Sequence, residues 1–140
     1  MTSRIIITKK FSELSKMGQN FVLSTWKRSL RKDNDYYRLI DADAYDEAYD
    51  IYLAGLVRKP NAEFRLSVFD DDQDLIEAWS LVEGDTLHYV YVRPELRRKG
   101  IGLLLVPLGI QWFSQITKTG MLIWSYPPWR HMRFDPFHVR

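Results

Sequence analysis

Apolar and polar residues change their spacing several times along this chain, and each change marks an element. Ile5, Ile6, Ile7 and Thr8 form a short β-branched run that predicts a first strand. From Ser12 the pattern turns helical. Leu14, Met17 and Phe21, then Leu23, Trp26 and Leu30, recur at three- and four-residue steps, with Gly18 weakening the middle. Residues 41–57 read as a second helix, capped by Asp41 or Asp43, with Ala44, Ala48, Ile51, Tyr52 and Leu56 on its apolar side and Pro60 forbidding extension. Residues 63–69 alternate Phe64, Leu66 and Val68 against polar neighbours, the mark of a half-buried strand. The acidic stretch 70–74 then predicts a turn, residues 75–82 an antiparallel partner strand, Gly84-Asp85 a second turn and residues 86–92 a third strand. A helix over about 100–116 and a last strand over 121–125, parallel to 86–92 by a right-handed crossover, complete the expectation. No internal repeat, linker or low-complexity segment interrupts it.

The segment with most chemical content is Val92-Arg93-Pro94-Glu95-Leu96-Arg97-Arg98-Lys99-Gly100-Ile101-Gly102, which joins the β-branched, aromatic run 88–92 to the apolar segment starting at Leu103. Strand, basic glycine-containing turn and helix together make a device for holding phosphate. Glycine lets the backbone approach an anion, and the first N–H groups of a helix have no partner inside it. Arg97, Arg98 and Lys99 add positive charge at the same place. The spacing excludes a P-loop, because Gly102 is followed by Leu103-Leu104 rather than Lys-Ser/Thr. It also excludes a dinucleotide fingerprint, which needs a third glycine.

Arg-x-x-Gly-x-Gly after Val-x-Pro-Glu resembles the acetyl-CoA-binding segment of the GCN5-related N-acetyltransferases (GNAT). The resemblance covers residues 63–126 well and residues 1–60 in outline. It implies an α/β fold with a GNAT-like mixed sheet and flanking helices in a single domain, 1–140. Within it, 1–60 is a helical N-terminal part, 63–126 the acetyl-CoA-binding core and 127–140 an aromatic and basic tail. By position, Arg97, Arg98, Lys99, Gly100, Ile101 and Gly102 would hold the pyrophosphate, and Val90, Tyr91 and Val92 would run beside the pantetheine arm. Two departures stand out. Pro107, with Gly109 close behind, predicts a kink in the crossover helix. After Ser125 only fifteen residues, three of them proline, stand where the family has another helix and a terminal strand pair, so the C-terminal part is expected to be truncated. The Leu-His-Tyr-Val-Tyr-Val strand, the basic turn and the final Tyr-Pro-Pro resemble small acetyltransferase-like proteins of tailed bacteriophages.

Acetyl transfer to an amine needs an anchored thioester, a polarised carbonyl, a base for the attacking ammonium and an acid for the leaving thiolate. The resemblance places the thiolate's acid at Tyr126; as a bare residue, Tyr126 is an aromatic preceding a proline. His88 is the candidate base, since an imidazole exchanges protons near neutrality. Alternation would put His88 on one face with Val90 and Val92, opposite Tyr89 and Tyr91. Glu77 and Glu83 on the neighbouring strand are the other candidates, acting through one water. The aspartates of 70–74 lack the spacing of a calcium loop, and His131 and His138 have no companions at metal-ligand spacing, so no metal is expected. The tail interleaves Trp129, Phe134 and Phe137 with Arg130, Arg133 and Arg140, a strip suited to covering an open edge or docking on a partner protein or second copy.

Composition narrows these readings. The chain has 140 residues, 46% of them hydrophobic and 14% aromatic, which suits one packed domain burying about two-thirds of its unfolded surface. It has no cysteine, so disulfides, thiolate metal sites and cysteine nucleophiles are excluded. No apolar run is long enough for a membrane span, and the N-terminal run is too short for a signal peptide, which suits the cytoplasm, with a virion location as the alternative. A formal net charge of +2 leaves any nucleic-acid role to the local cluster Lys27, Arg28, Arg31 and Lys32. The leading expectation is an acetyl-CoA-dependent N-acetyltransferase with an unidentified amine acceptor. The alternative is a non-catalytic module of the same fold used in assembling a phage particle.

Overall fold

In the computed structural model, which describes residues 3–115, 117–124 and 127–137, the sheet carries six strands in the simple order β1-β2-β3-β4-β5-β6. Strands β1 (Arg4–Lys9), β2 (Ala62–Phe69), β3 (Asp72–Glu83) and β4 (Thr86–Val92) are mutually antiparallel. β5 (Trp112–Phe113) and β6 (Arg133–Phe134) continue the sheet in parallel. The fold is mixed α/β with flanking helices, as the pattern of the chain implies. No described helix is long and apolar enough to cross a membrane.

Helices α1 (Lys16–Lys32) and α3 (Ala42–Val57) start where short polar side chains can take over orphan amides. Ser15 Oγ accepts from the Gly18 N–H at 3.1 Å and Asp41 accepts from Ala44 at 3.1 Å, which settles the cap of α3 on Asp41. Between them, Asn34 caps a short helix α2 (Asp35–Arg38) that the apolar spacing did not reveal. α1 and α3 cover one face of the sheet. Val22, Trp26, Leu30, Leu53, Leu56 and Val57 pack there on Phe64, Leu66, Val68, Trp79, Leu81 and Tyr89. Its centre is aromatic: the Trp26 ring stacks on Tyr89 at 5.4 Å and tilts against Trp79 at 5.3 Å. Both indole N–H groups find acceptors, Trp79 on Thr25 Oγ1 at 3.0 Å and Trp26 on Gln115 Oε1 at 2.7 Å.

The second half departs from expectation. The helix after β4, α4 (Ile101–Leu105), has five residues and does not run to 116. Pro107 ends it rather than kinking it: Pro restricts the preceding residue to extended backbone, and Val106 sits at φ −107°, ψ 111°. Release of the chain there lets residues 112–113 pair with β4, so the parallel strand lies at Trp112–Phe113. Met121 to Trp124 belong to helix α5 (Lys118–Trp124), not to a strand. The tail is also built differently. A helical turn α6 (Pro127–Arg130) leads into β6 on the free edge of β5. Met132 is buried beside Leu87, Ile110 and Phe113, with Trp124 and Trp129 against them, and the Phe134 ring lies 5.3 Å from Phe113.

Trp26 is fully buried at the meeting point of α1, β3 and β4. Trp26→Ala is expected to cost about 3–5 kcal/mol, read as a lower midpoint in urea denaturation; an unchanged midpoint would contradict this packing.

Candidate functional site

β4 has one complete neighbour and one partial one. On one side β3 pairs with it from Ala78↔Val92 to Glu83↔Thr86. On the other, β5 pairs only Thr86↔Trp112 and Leu87↔Phe113, and one further bond follows from the Ser114 N–H to the Leu87 carbonyl at 3.1 Å. The Arg93 N–H donates to the Glu77 carbonyl at 3.2 Å, so in this register Tyr89 and Tyr91 also spend their backbone groups on β3. Val90 and Val92 therefore aim N–H and C=O at the edge that β5 has left. Arg97 marks that edge: its Nε donates to the Val92 carbonyl at 3.0 Å.

The loop after β4 is exposed and basic at Arg97, Arg98 and Lys99. Arg98 is left-handed at φ 65°, and Gly100, the residue before α4, at φ 80°. As the N-cap of α4, Gly100 has no side chain to offer its first amides. The helix is held from its other end and its buried face: Ser80 Oγ donates to the Leu105 carbonyl at 2.6 Å, Arg65 donates to that of Leu104 at 3.0 Å, and Ile101 and Leu105 pack with Ala78 beside Val90 and Val92. The loop's first amides and three cations thus lie at the end of the open strand edge. Arg93, by contrast, is committed, its Nε on the Ile76 carbonyl and its guanidinium over Phe21.

A second group of polar side chains gathers where β4 and β5 meet. The register slips between Leu81, opposite Tyr89, and Val82, opposite Leu87, so it skips His88, which is the bulged residue. The bulge breaks alternation. His88 does not follow Val90 and Val92 but turns to a cavity of about 400 Å³ that it shares with Tyr52, Leu56 and Lys59 on the α3 side. Its Nε2 lies 2.9 Å from Glu83 Oε1 and its Nδ1 2.7 Å from Ser114 Oγ, and all three residues are buried. A carboxylate only accepts, so Nε2 carries a proton on this side; in the neutral imidazole Nδ1 then accepts from the Ser114 hydroxyl. Lys59 Nζ stands 3.6 Å from the same Glu83 oxygen.

Glu77 is not part of this group; it is held by Arg4 through contacts of 2.5 and 3.2 Å. Tyr126 lies outside the described residues, as does His138. Of the basic cluster on α1, Lys27 pairs with Asp50 at 2.6 Å, Arg28 donates to the Ser24 carbonyl, and Arg31 donates to the Ile40 carbonyl and lies over the Tyr45 ring. Lys27 and Arg31 are thus turned to the protein, while Arg28 and Lys32 are exposed. Burial raises the Tyr89 hydroxyl well above the ordinary phenol range, so this phenol, bonded to Ser29 at 2.8 Å, stays protonated.

Two residues of the site had no sequence reading, Ser114 and Gln115. Gln115 Oε1 is fixed by Trp26, which leaves its buried Nε2 without an acceptor, two residues beyond the end of β5. Both were hidden inside the segment read as helix. Taking Pro107 as a terminator would have exposed them.

No protein-family model matches the sequence, and no curated protein matches it. Solved structures do resemble it. A protein assigned to the GNAT acetyltransferases of Staphylococcus aureus is 14% identical, with 71% of this chain and 82% of that one covered, at a TM-score of 0.49. YjaB of Escherichia coli, solved in its apo form, is 19% identical over 74% of this chain and 61% of its own, at 0.48. An acetyltransferase-type protein of Pyrococcus furiosus is 14% identical over 74% and 69%, at 0.49.

The two loop glycines should respond oppositely to substitution. A Cβ at Gly100 meets nothing within 4 Å, so Gly100→Ala pays only for its positive φ, about 1 kcal/mol. Gly102 lies inside α4, where Ala is the better helix former, and Gly102→Ala should be neutral or stabilising by up to about 1 kcal/mol. Urea denaturation of the two variants checks the sign; equal shifts would contradict the loop geometry.

Proposed function

We propose that this chain binds acetyl-CoA along the open edge of β4 and catalyses transfer of its acetyl group to an amine acceptor. The observation that carries the reading is the parting of β5 from β4 after two residue pairs, directly upstream of a basic loop that enters α4 through Gly100, an N-cap with no side chain. The order of elements, two main helices, an antiparallel hairpin, a third strand, a short crossover helix and a parallel strand, is the order the GNAT resemblance implies.

Val90 and Val92 supply backbone donors and acceptors in the direction a pantetheine arm with its two amides would need, as an added strand does. Arg97, Arg98 and Lys99, with the amides of Gly100, Ile101 and Gly102, hold the pyrophosphate. Tyr91 lies between the two valines and contributes its ring to the α1 face, against Phe21. Acetyl-CoA supplies an activated thioester that an amine can attack directly. The unmet donor of Gln115 polarises the thioester carbonyl, since a buried N–H without an acceptor is stabilised by an oxygen that gains charge. His88 takes the proton from the amine, and Glu83 holds the resulting imidazolium; Glu77 needs release from Arg4 before it can serve. Tyr126 is the proposed acid for the thiolate.

A second reading, a non-catalytic module of this fold that docks in a larger assembly, draws on the five-residue α4 and its exposed Leu103 and Leu104. Calorimetry with CoA separates the two. Catalytic use requires micromolar binding that weakens at least tenfold in Arg97→Ala/Arg98→Ala and falls as salt rises. Absence of heat with folded wild-type protein would sink the acetyl-CoA reading and leave the module.

A further inference from the structure

We propose that Ser114, His88 and Glu83 form a nucleophilic relay, and that Ser114 Oγ attacks small acyl esters that enter the cavity beside α3. Nucleophile, base and orienting carboxylate within hydrogen-bond reach of one another are the signature of covalent acyl transfer, whichever fold carries them. Here the hydroxyl lies 2.7 Å from Nδ1 and the carboxylate 2.9 Å from Nε2. The ring nitrogens are used in the reverse sense from the familiar serine relay, but the protonation logic is the same. Glu83 accepts from Nε2–H, so in the neutral ring the lone pair of Nδ1 faces the hydroxyl.

Three further features distinguish this group from a merely satisfied core histidine. First, it is not sealed. His88 and Ser114 both line the cavity of about 400 Å³, whose walls include Tyr52, Leu56 and Phe137, a volume and lining suited to a small apolar acyl group. Second, the carboxylate has a cation beside it. Lys59, itself on the cavity wall, stands 3.6 Å from Glu83 Oε1, and Glu83 and His88 are only 2% and 3% exposed. Third, the geometry is held by backbone. The β4 bulge turns His88 out of its strand, and the bond from the Ser114 N–H to the Leu87 carbonyl pins the serine beside it.

The reaction balances with water as the only co-reactant. Ser114 Oγ bonds to the ester carbonyl carbon as its proton passes to His88 Nδ1. The bond from that carbon to the alcohol oxygen breaks, and the leaving oxygen takes the proton from Nδ1. Water then attacks the acyl-serine, gives a proton to Nδ1 and releases the acid, and Oγ takes that proton back. The products are one acid and one alcohol.

The test uses the full chain without CoA, so it is independent of binding along β4. A fluorophosphonate probe is incubated with the protein and the adduct is mapped by mass spectrometry, with p-nitrophenyl acetate hydrolysis followed in parallel. The relay predicts a single adduct on Ser114, no adduct in Ser114→Ala, and labelling slowed at least ~100-fold in His88→Ala. Glu83→Gln, closest in shape to the native residue, should slow labelling while circular dichroism stays unchanged. Wild-type protein that is folded yet unlabelled overturns the proposal, as does an adduct on another residue or equal ester hydrolysis by Ser114→Ala.

Discussion

The two-residue partnership between β4 and β5 is the constraint on which the rest of this molecule depends. Strands that pair along their whole length leave no backbone group for a ligand. Strands that never meet leave no fixed geometry. Here Thr86 and Leu87 are paired and Ser114 adds one last bond, after which β5 leaves. Everything chemical lies on one side or the other of that fork. Above it are the backbone groups of Val90 and Val92 that β3 does not use, with Arg97 on the Val92 carbonyl, and the basic loop; at its base are His88, Glu83 and Ser114 around a cavity.

The fork is stable because each arm is fixed by packing rather than by strand pairing. β4 is locked on one face by Trp26, Trp79 and Tyr89, whose rings lie within 5.3–5.7 Å of one another. β5 is too short to hold itself, and the tail holds it instead. The Arg133 N–H donates to the Gln111 carbonyl at 2.8 Å, that of Asp135 to Phe113 at 3.0 Å, and the indole of Trp124 donates to the Met132 carbonyl at 2.9 Å. The aromatic and basic tail thus covers the sheet's open edge, which otherwise would present unpaired backbone to solvent. Gln115 ties the two arms together through Trp26, from the outgoing strand to the helix that packs on β4.

Much of this was legible in the chain, where a signal had one physical meaning. The β-branched run 86–92 and the alternation of 63–69 became β4 and β2, and the helical spacing that starts at Ser12 and that of 41–57 became α1, from Lys16, and α3. The strand, basic turn and helix around Gly100 also appear in order, because glycine and a following apolar turn specify them locally. Where two meanings competed, the reading went astray. Met121-Leu122-Ile123-Trp124 is an apolar run that suits strand or helix equally, and only the rest of the fold decides for helix. A two-residue strand such as Trp112–Phe113 has no period at all. His88 stood out as a candidate in the chain but its orientation did not, because a bulge is a property of two strands together. For the same reason Glu83, not Glu77, lies on His88: the ion pair with Arg4 is made across the sheet, at a separation that no local pattern reports.

Backbone amide NMR of the full chain titrated with CoA interrogates the fork directly. Binding along β4 predicts that the largest shifts fall on Val90, Val92 and the run from Arg98 to Gly102, with the tail and α1 little changed. Shifts scattered over the exposed helices, or none in β4 and its loop at saturating CoA, would contradict the account.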